Sequence, residues 1–206
     1  MPDEWTIVRN RLDEAGIAGV VDFAKFVNNT TYFEASRFDE VAAAPMLVAL
    51  LPELSDPRVV AAIGRHLQNK RAGKQHYDAI LRAFRRWATH ASETGWVLGD
   101  TLARMADKLK AADFVEIAQR KEFGSSRAFI VDALWRFKAD TDVEPLLRDL
   151  VSDRDVSLFA MSALQRVIGG PAMAQVLQTL IDTCDDERIA TQARRQLKRV
   201  QKKLAR

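Results

Sequence analysis

The chain has 206 residues, 48% of them apolar and 29% charged, with six prolines, nine glycines and one cysteine. That balance fits a folded core and excludes collagen-like, disordered and disulfide-stapled classes. The net charge of +3 is unevenly placed: from Arg188 onward there are eight Lys or Arg and no acid, while the preceding part carries 23 basic against 28 acidic residues, a mildly acidic body with a basic end.

The first residues, "MPDEWTIVRN", lack a basic segment followed by an apolar one, so no secretion signal is expected. "PDEWTIVRNRLDEAG" and "AGVVDFAKFVNN" each read as a short helix, and "NNTTYFEASRF" as a polar break. From residue 38 a repeat takes over. Adjacent apolar doublets stand at Leu50-Leu51, Ile80-Leu81, Phe114-Val115, Leu146-Leu147 and Val176-Leu177, spaced 30, 34, 32 and 30 residues apart. Each is followed, four positions after its first member, by Leu54, Phe84, Ala118, Leu150 and Leu180, which gives one apolar stripe per helix.

A second helix is predicted after each first one. Its stripes are Val59, Ile63, Leu67; then Leu98, Leu102, Met105, Leu109; then Ile130, Ala133, Leu134, Phe137. The last two, Val156, Ala160, Leu164, Val167 and Ile189, Ala193, Leu197, Val200, superpose at a constant offset of 33. The breaks carry helix-start chemistry. "SDP" at 55–57, "SDRD" at 152–155 and "DDE" at 185–187 place Ser or Asp where an N-cap is needed. "GGP" at 169–171 ends one helix with glycine and opens the next with proline. No run of eighteen apolar residues occurs, so no membrane span is expected. The lone Cys184 cannot form an internal disulfide, which fits the cytoplasm.

A helix pair with a period near 32 hides its apolar face only by lying against the next pair. "DPRVVAAIGRHL" and "DRDVSLFAMSALQRV" resemble HEAT repeats: an Asp-containing turn, then a helix beginning with Arg and Val or Ile. The resemblance spans residues 38–206. It implies an all-α fold, a right-handed α-α superhelix of about six helix pairs. A single domain over 1–206 is expected, with 1–37 as a divergent capping pair.

Arg58, Arg127, Arg154 and Arg188 each stand near a second-helix start beside Asp or Ser. They are either a ladder bonding the turns of adjacent layers or a row of donors facing a groove. "GWVLGDTLARM" places Trp96 and Asp100 one helical turn apart, with Arg127 downstream. This is similar to HEAT-like alkylpurine DNA glycosylases, whose second tryptophan would fall near Ser162, where the nearest aromatic is Phe159. That resemblance implies a DNA-binding or DNA-repair relative. On a helix from Glu187, the cations Arg188, Arg195, Lys198, Arg199, Lys202 and Lys203 spread opposite the apolar face, either as a surface for phosphates or an acidic protein or as a solvated cap. His66, His76 and His90 share no ligand spacing with one another or with Cys184, so no metal or other cofactor is expected.

No nucleophile motif or phosphate loop is present. The expected function is a non-catalytic scaffold binding another protein along its second helices, with nucleic acid as the alternative partner. Its candidate contacts are Trp96, Asp100, Arg127, Arg154 and Asp155.

Overall fold

The computed structural model describes residues 3–20, 23 and 38–205. Among these residues every regular element is a helix, and there is no strand. The chain divides into two compact units, Met1–Met105 and Ala106–Arg206.

In the first unit α1 (Glu4–Glu14) starts on Asp3, whose carboxylate accepts the Thr6 N–H at 2.8 Å. It buries Val8 and Leu12 against the pair that follows. The second short helix expected before residue 30, and the polar break after it, lie outside the described residues except at 18–20, 23 and 38. Then come α2 (Glu40–Leu50), α3 (Pro57–His66), the single turn α4 (Lys70–Gly73), α5 (Tyr77–Trp87) and α6 (Ser92–Arg104). Asp56 caps α3, accepting the Arg58 N–H at 2.8 Å, and Pro57 occupies the first turn where a missing N–H costs nothing.

Helix α2 packs on α3, α5 on α6, and the two second helices α3 and α6 on each other. Gly64 sets that last distance: a Cβ there would lie 3.1 Å from Leu98 Cδ2 and from Val97 Cγ1. The Thr101 hydroxyl then reaches the Gly64 carbonyl at 2.9 Å. His66 is wholly buried. Its Nδ1 lies 3.3 Å from Glu40 Oε1 and its Nε2 3.0 Å from the Phe23 carbonyl, with the Phe23 ring stacked on it. Helix α4 has no counterpart in the sequence reading. Asn69 caps it, accepting the Arg71 N–H at 3.1 Å.

The second unit holds α7 (Ala111–Gln119), a 3₁₀ run over Lys121–Arg127, α8 (Ala128–Ala133) and its 3₁₀ extension Leu134–Phe137. Next are α9 (Val143–Leu150), α10 (Ser157–Ile168), α11 (Gly170–Thr183) and α12 (Glu187–Leu204). Pairs α7/α8, α9/α10 and α11/α12 pack internally, and the second helices α8, α10 and α12 pack in sequence, α10 between the other two. The contacts therefore follow chain order, as a stack of pairs requires. In α10 the expected Ala160 and Leu164 are buried, joined by Met161 and Ala163, and a full side chain such as Leu contributes roughly 1.5–3 kcal/mol.

Gly169, with φ 81°, ends α10, and Pro171 sits in the first turn of α11. Asp186 caps α12, its carboxylate accepting the Arg188 N–H at 2.9 Å.

Two sequence expectations are corrected. Leu109 does not extend the α6 stripe: α6 ends at Arg104, Asp107 opens a new 3₁₀ turn, and Leu109 is 91% exposed. "SDRD" does not cap α10 with a side chain. Instead the Asp153 carboxylate accepts the Asp155 N–H at 3.0 Å, and its carbonyl accepts the Val156 and Ser157 N–H groups, closing a turn before the helix.

Candidate functional site

Helix α10 has two faces. One faces the core. The other carries Leu158, Phe159, Ser162, Gln165 and Arg166, at the one-, four-, seven- and eight-residue steps of a single helix side. This side forms the floor of a groove of about 730 Å³. Its walls are α12, through Gln196, Arg199, Lys202 and Lys203, and α8, through Asp132. All three are second helices of the same unit.

The walls are tied to the floor by polar contacts. Gln196 Nε2 donates to Gln165 Oε1 at 2.9 Å, and the Ser157 hydroxyl to Gln192 Oε1 at 3.1 Å. Arg166 Nη1 lies 3.4 Å from Asp132 Oδ2 and its guanidinium stands 5.2 Å from the centre of the Trp135 ring. The edge-to-face pair Phe129–Phe159, with centroids 5.5 Å apart, fixes the aromatic part of the floor.

Leu158 beside it is 46% exposed, one of few large apolar side chains left open among the described residues. Among the described residues Arg199, Lys202 and Lys203 have no ion-pair partner. The groove therefore offers three uncommitted positive charges, an apolar anchor point and amide groups. No group of three or more His, Cys, Asp or Glu able to hold a metal occurs among the described residues.

The residues singled out from sequence fall in different places. Trp96 and Asp100 are on α6 of the first unit. Trp96 is 41% exposed, and Asp100 accepts from Gln68 Nε2 at 3.0 Å and from the Arg104 guanidinium at 3.2 Å. Arg127, Arg154 and Asp155 are at the turn edge of the second unit, away from the groove floor, where they line a recess of about 340 Å³.

Arg127 is 1% exposed and all its donors point inward: Nε to the Gly124 carbonyl at 3.1 Å, Nη1 to the Ala118 carbonyl at 2.7 Å, Nη2 to Asp153 at 2.6 Å. Arg154 Nε stands 3.6 Å from Asp186, and Arg188 Nη2 donates to the Arg154 carbonyl. This is the ladder arrangement: each turn is bonded to the turn of the next layer. Arg58 differs, pairing with Asp56 of its own turn at 2.7 Å. That pair holds the Asp56 carboxyl below the usual carboxylate range, chiefly by the hydrogen bond from the Arg58 side chain.

Of the basic set on α12, Arg199, Lys202 and Lys203 line the groove, Arg188 serves the ladder, and Arg195 and Lys198 are exposed beside it. Among the groove residues absent from the candidate set, Leu158 and Phe159 carried a signal. They are apolar yet stand off the Val156, Ala160, Leu164 stripe.

Residues 111–198 match the family model for HEAT repeats. These residues of the second unit carry HEAT repeats. The match covers α7 through most of α12 and so takes in the groove floor and both walls, short of Arg199, Lys202 and Lys203. The stretch "DPRVVAAIGRHL", the nearest likeness to a HEAT unit in the sequence, lies outside it, although α2/α3 and α5/α6 pack as pairs in the same manner. No curated protein and no solved structure matches the chain. HEAT repeats commonly serve as interaction modules. No helix among the described residues is long and apolar enough to cross a membrane.

Proposed function

We propose that this protein is a non-catalytic binding scaffold that holds another protein in the groove formed by α8, α10 and α12. One observation carries the reading. A groove of about 730 Å³ on the second-helix face keeps Leu158 nearly half exposed beside a fixed Phe159, although α10 has a core into which apolar residues pack. An apolar floor of Leu158 and Phe159 with a polar and basic rim follows the plan of a contact surface, apolar at its middle and polar at its edge. The lone Cys184 is consistent with a cytoplasmic setting, where thiols stay reduced.

A row of exposed cations on α12 favours nucleic acid as the second reading. The test is a paired capture from the native cell, with the wild-type chain and Leu158→Arg as baits and nuclease-treated extract. Leu158 is surface-placed, so the variant keeps its helix content. Proteins held by wild type and lost by Leu158→Arg are the expected result. An identical set on both baits refutes the groove, and material that disappears on nuclease treatment supports the second reading.

A further inference from the structure

We infer that the groove takes an acidic peptide segment that inserts one bulky apolar side chain beside Leu158. This rests on the protein-binding reading above and names the partner's chemistry. Arg199, Lys202 and Lys203 stand at i, i+3 and i+4 of α12, on one side of the helix, within about 6 Å of axial length. None is ion-paired among the described residues. The acid in the groove, Asp132, is on the opposite wall and is engaged by Arg166 at 3.4 Å. The net field over the α12 side is therefore positive, and two or three carboxylates spaced within one helical turn match it.

The floor argues against a nucleic-acid strand. A strand without sequence preference needs open aromatic faces on which bases stack. Here the Arg166 guanidinium stands over Trp135 at 5.2 Å, and Phe159 is held edge-to-face by Phe129. A phosphate backbone running from wall to wall would also meet Asp132. The most exposed apolar group of the floor is aliphatic: Leu158, with Ser162 and the paired Gln165 and Gln196 amides lining the same groove. An apolar side chain packs on the first, and a peptide backbone bonds to the amides.

The experiment pans a phage-displayed library of random 12-residue peptides against the full chain and measures the recovered peptides by fluorescence anisotropy. The variants are Leu158→Arg and the double variant Lys202→Gln/Lys203→Gln, which removes charge without placing acids at the C-terminal end of α12. A labelled 20-nucleotide single strand of DNA is measured alongside. Recovered peptides enriched in Asp and Glu around a Leu, Ile, Phe or Trp are expected. They should bind about tenfold or more weakly to the double variant, lose measurable binding to Leu158→Arg, and weaken as salt rises.

Neutral or basic peptides that still depend on Leu158 overturn this inference and leave the protein-binding reading standing. Peptides indifferent to Leu158→Arg, or the absence of any peptide together with DNA binding that the double variant loses, overturn both. Circular dichroism confirms that each variant is folded, and Arg199→Gln supplies an independent charge removal should the double variant unfold.

Discussion

Replacing Arg127 by methionine tests whether the turn ladder holds the second unit together. Methionine keeps much of the volume and removes the charge. Three interactions vanish: the ion pair to Asp153 at 2.6 Å and the two bonds to the Ala118 and Gly124 carbonyls at 2.7 and 3.1 Å. Hydrogen bonds from a charged donor are worth roughly 1.5–3 kcal/mol each. Against this stands the desolvation of a guanidinium that is 1% exposed, which the variant no longer has to meet. Removing one partner of a buried pair typically costs about 3–5 kcal/mol because the other charge stays behind. Asp153 keeps some access to solvent, which places the expected loss near the lower end, about 3 kcal/mol.

Urea unfolding followed by far-ultraviolet circular dichroism measures it. The same change made in an Asp153→Asn background should cost about 1–2 kcal/mol less, because the abandoned carboxylate is gone. A loss under about 1 kcal/mol for Arg127→Met, or no coupling between the two positions, refutes the reasoning.

Gly73→Ala should destabilise the first unit by about 2 kcal/mol or more, since its Cβ would fall 2.0 Å from Met105 Cε and 2.2 Å from the Leu67 carbonyl oxygen; a melting curve that overlays wild type would refute the close approach. Asp186→Ala removes the α12 cap and the acid facing Arg154, and a loss of about 1 kcal/mol in urea unfolding is expected.

The Glu4 carboxyl lies below the usual carboxylate range. Burial raises it, but bonds from the Ser55 hydroxyl and the Asp56 and Ser55 N–H groups prevail. A carboxyl lower in the folded chain than in the unfolded one stabilises the fold above the unfolded value, about 4.3, and that gain is lost as the pH falls through the folded value. Glu4→Gln should thus be less stable than wild type at pH 7 and approach it in acid; a pH-independent gap would exclude the linkage.

The pairing of helices was legible because apolar spacing is a local property that burial then enforces. Every stripe from Val59 to Val200 that stays within a helix has its members buried or half-buried. Leu109 shows the limit. Its spacing continues the α6 stripe, but the Asp107 side chain accepts the Leu109 N–H at 3.2 Å and turns the chain before the pattern can be used.

The arginines were legible as a class and not as individuals. Arg127 finds acceptors at positions 118, 124 and 153, of which only the second is near in sequence, so no spacing rule separates it from Arg58, whose partner is two residues away. The groove escaped for a related reason. It is made where three second helices leave side chains uncovered, and a one-dimensional pattern marks what is buried far better than what is left open. Leu158 and Phe159, apolar and out of phase with their own helix, were its trace in the sequence.

The turn bonds also fix where the second unit tolerates editing. Asp153 accepts from the layer before it, while Arg154, the next residue, reaches Asp186, 33 positions after Asp153. A deletion running from Arg154 through Asp186 takes a donor out together with its own acceptor and leaves Arg127 with the carboxylate it already holds. Cuts made at that seam shorten the protein by one whole step and keep the Arg127–Asp153 pair, at the loss of the Arg188 bond to the Arg154 carbonyl and of the Arg166–Asp132 pair.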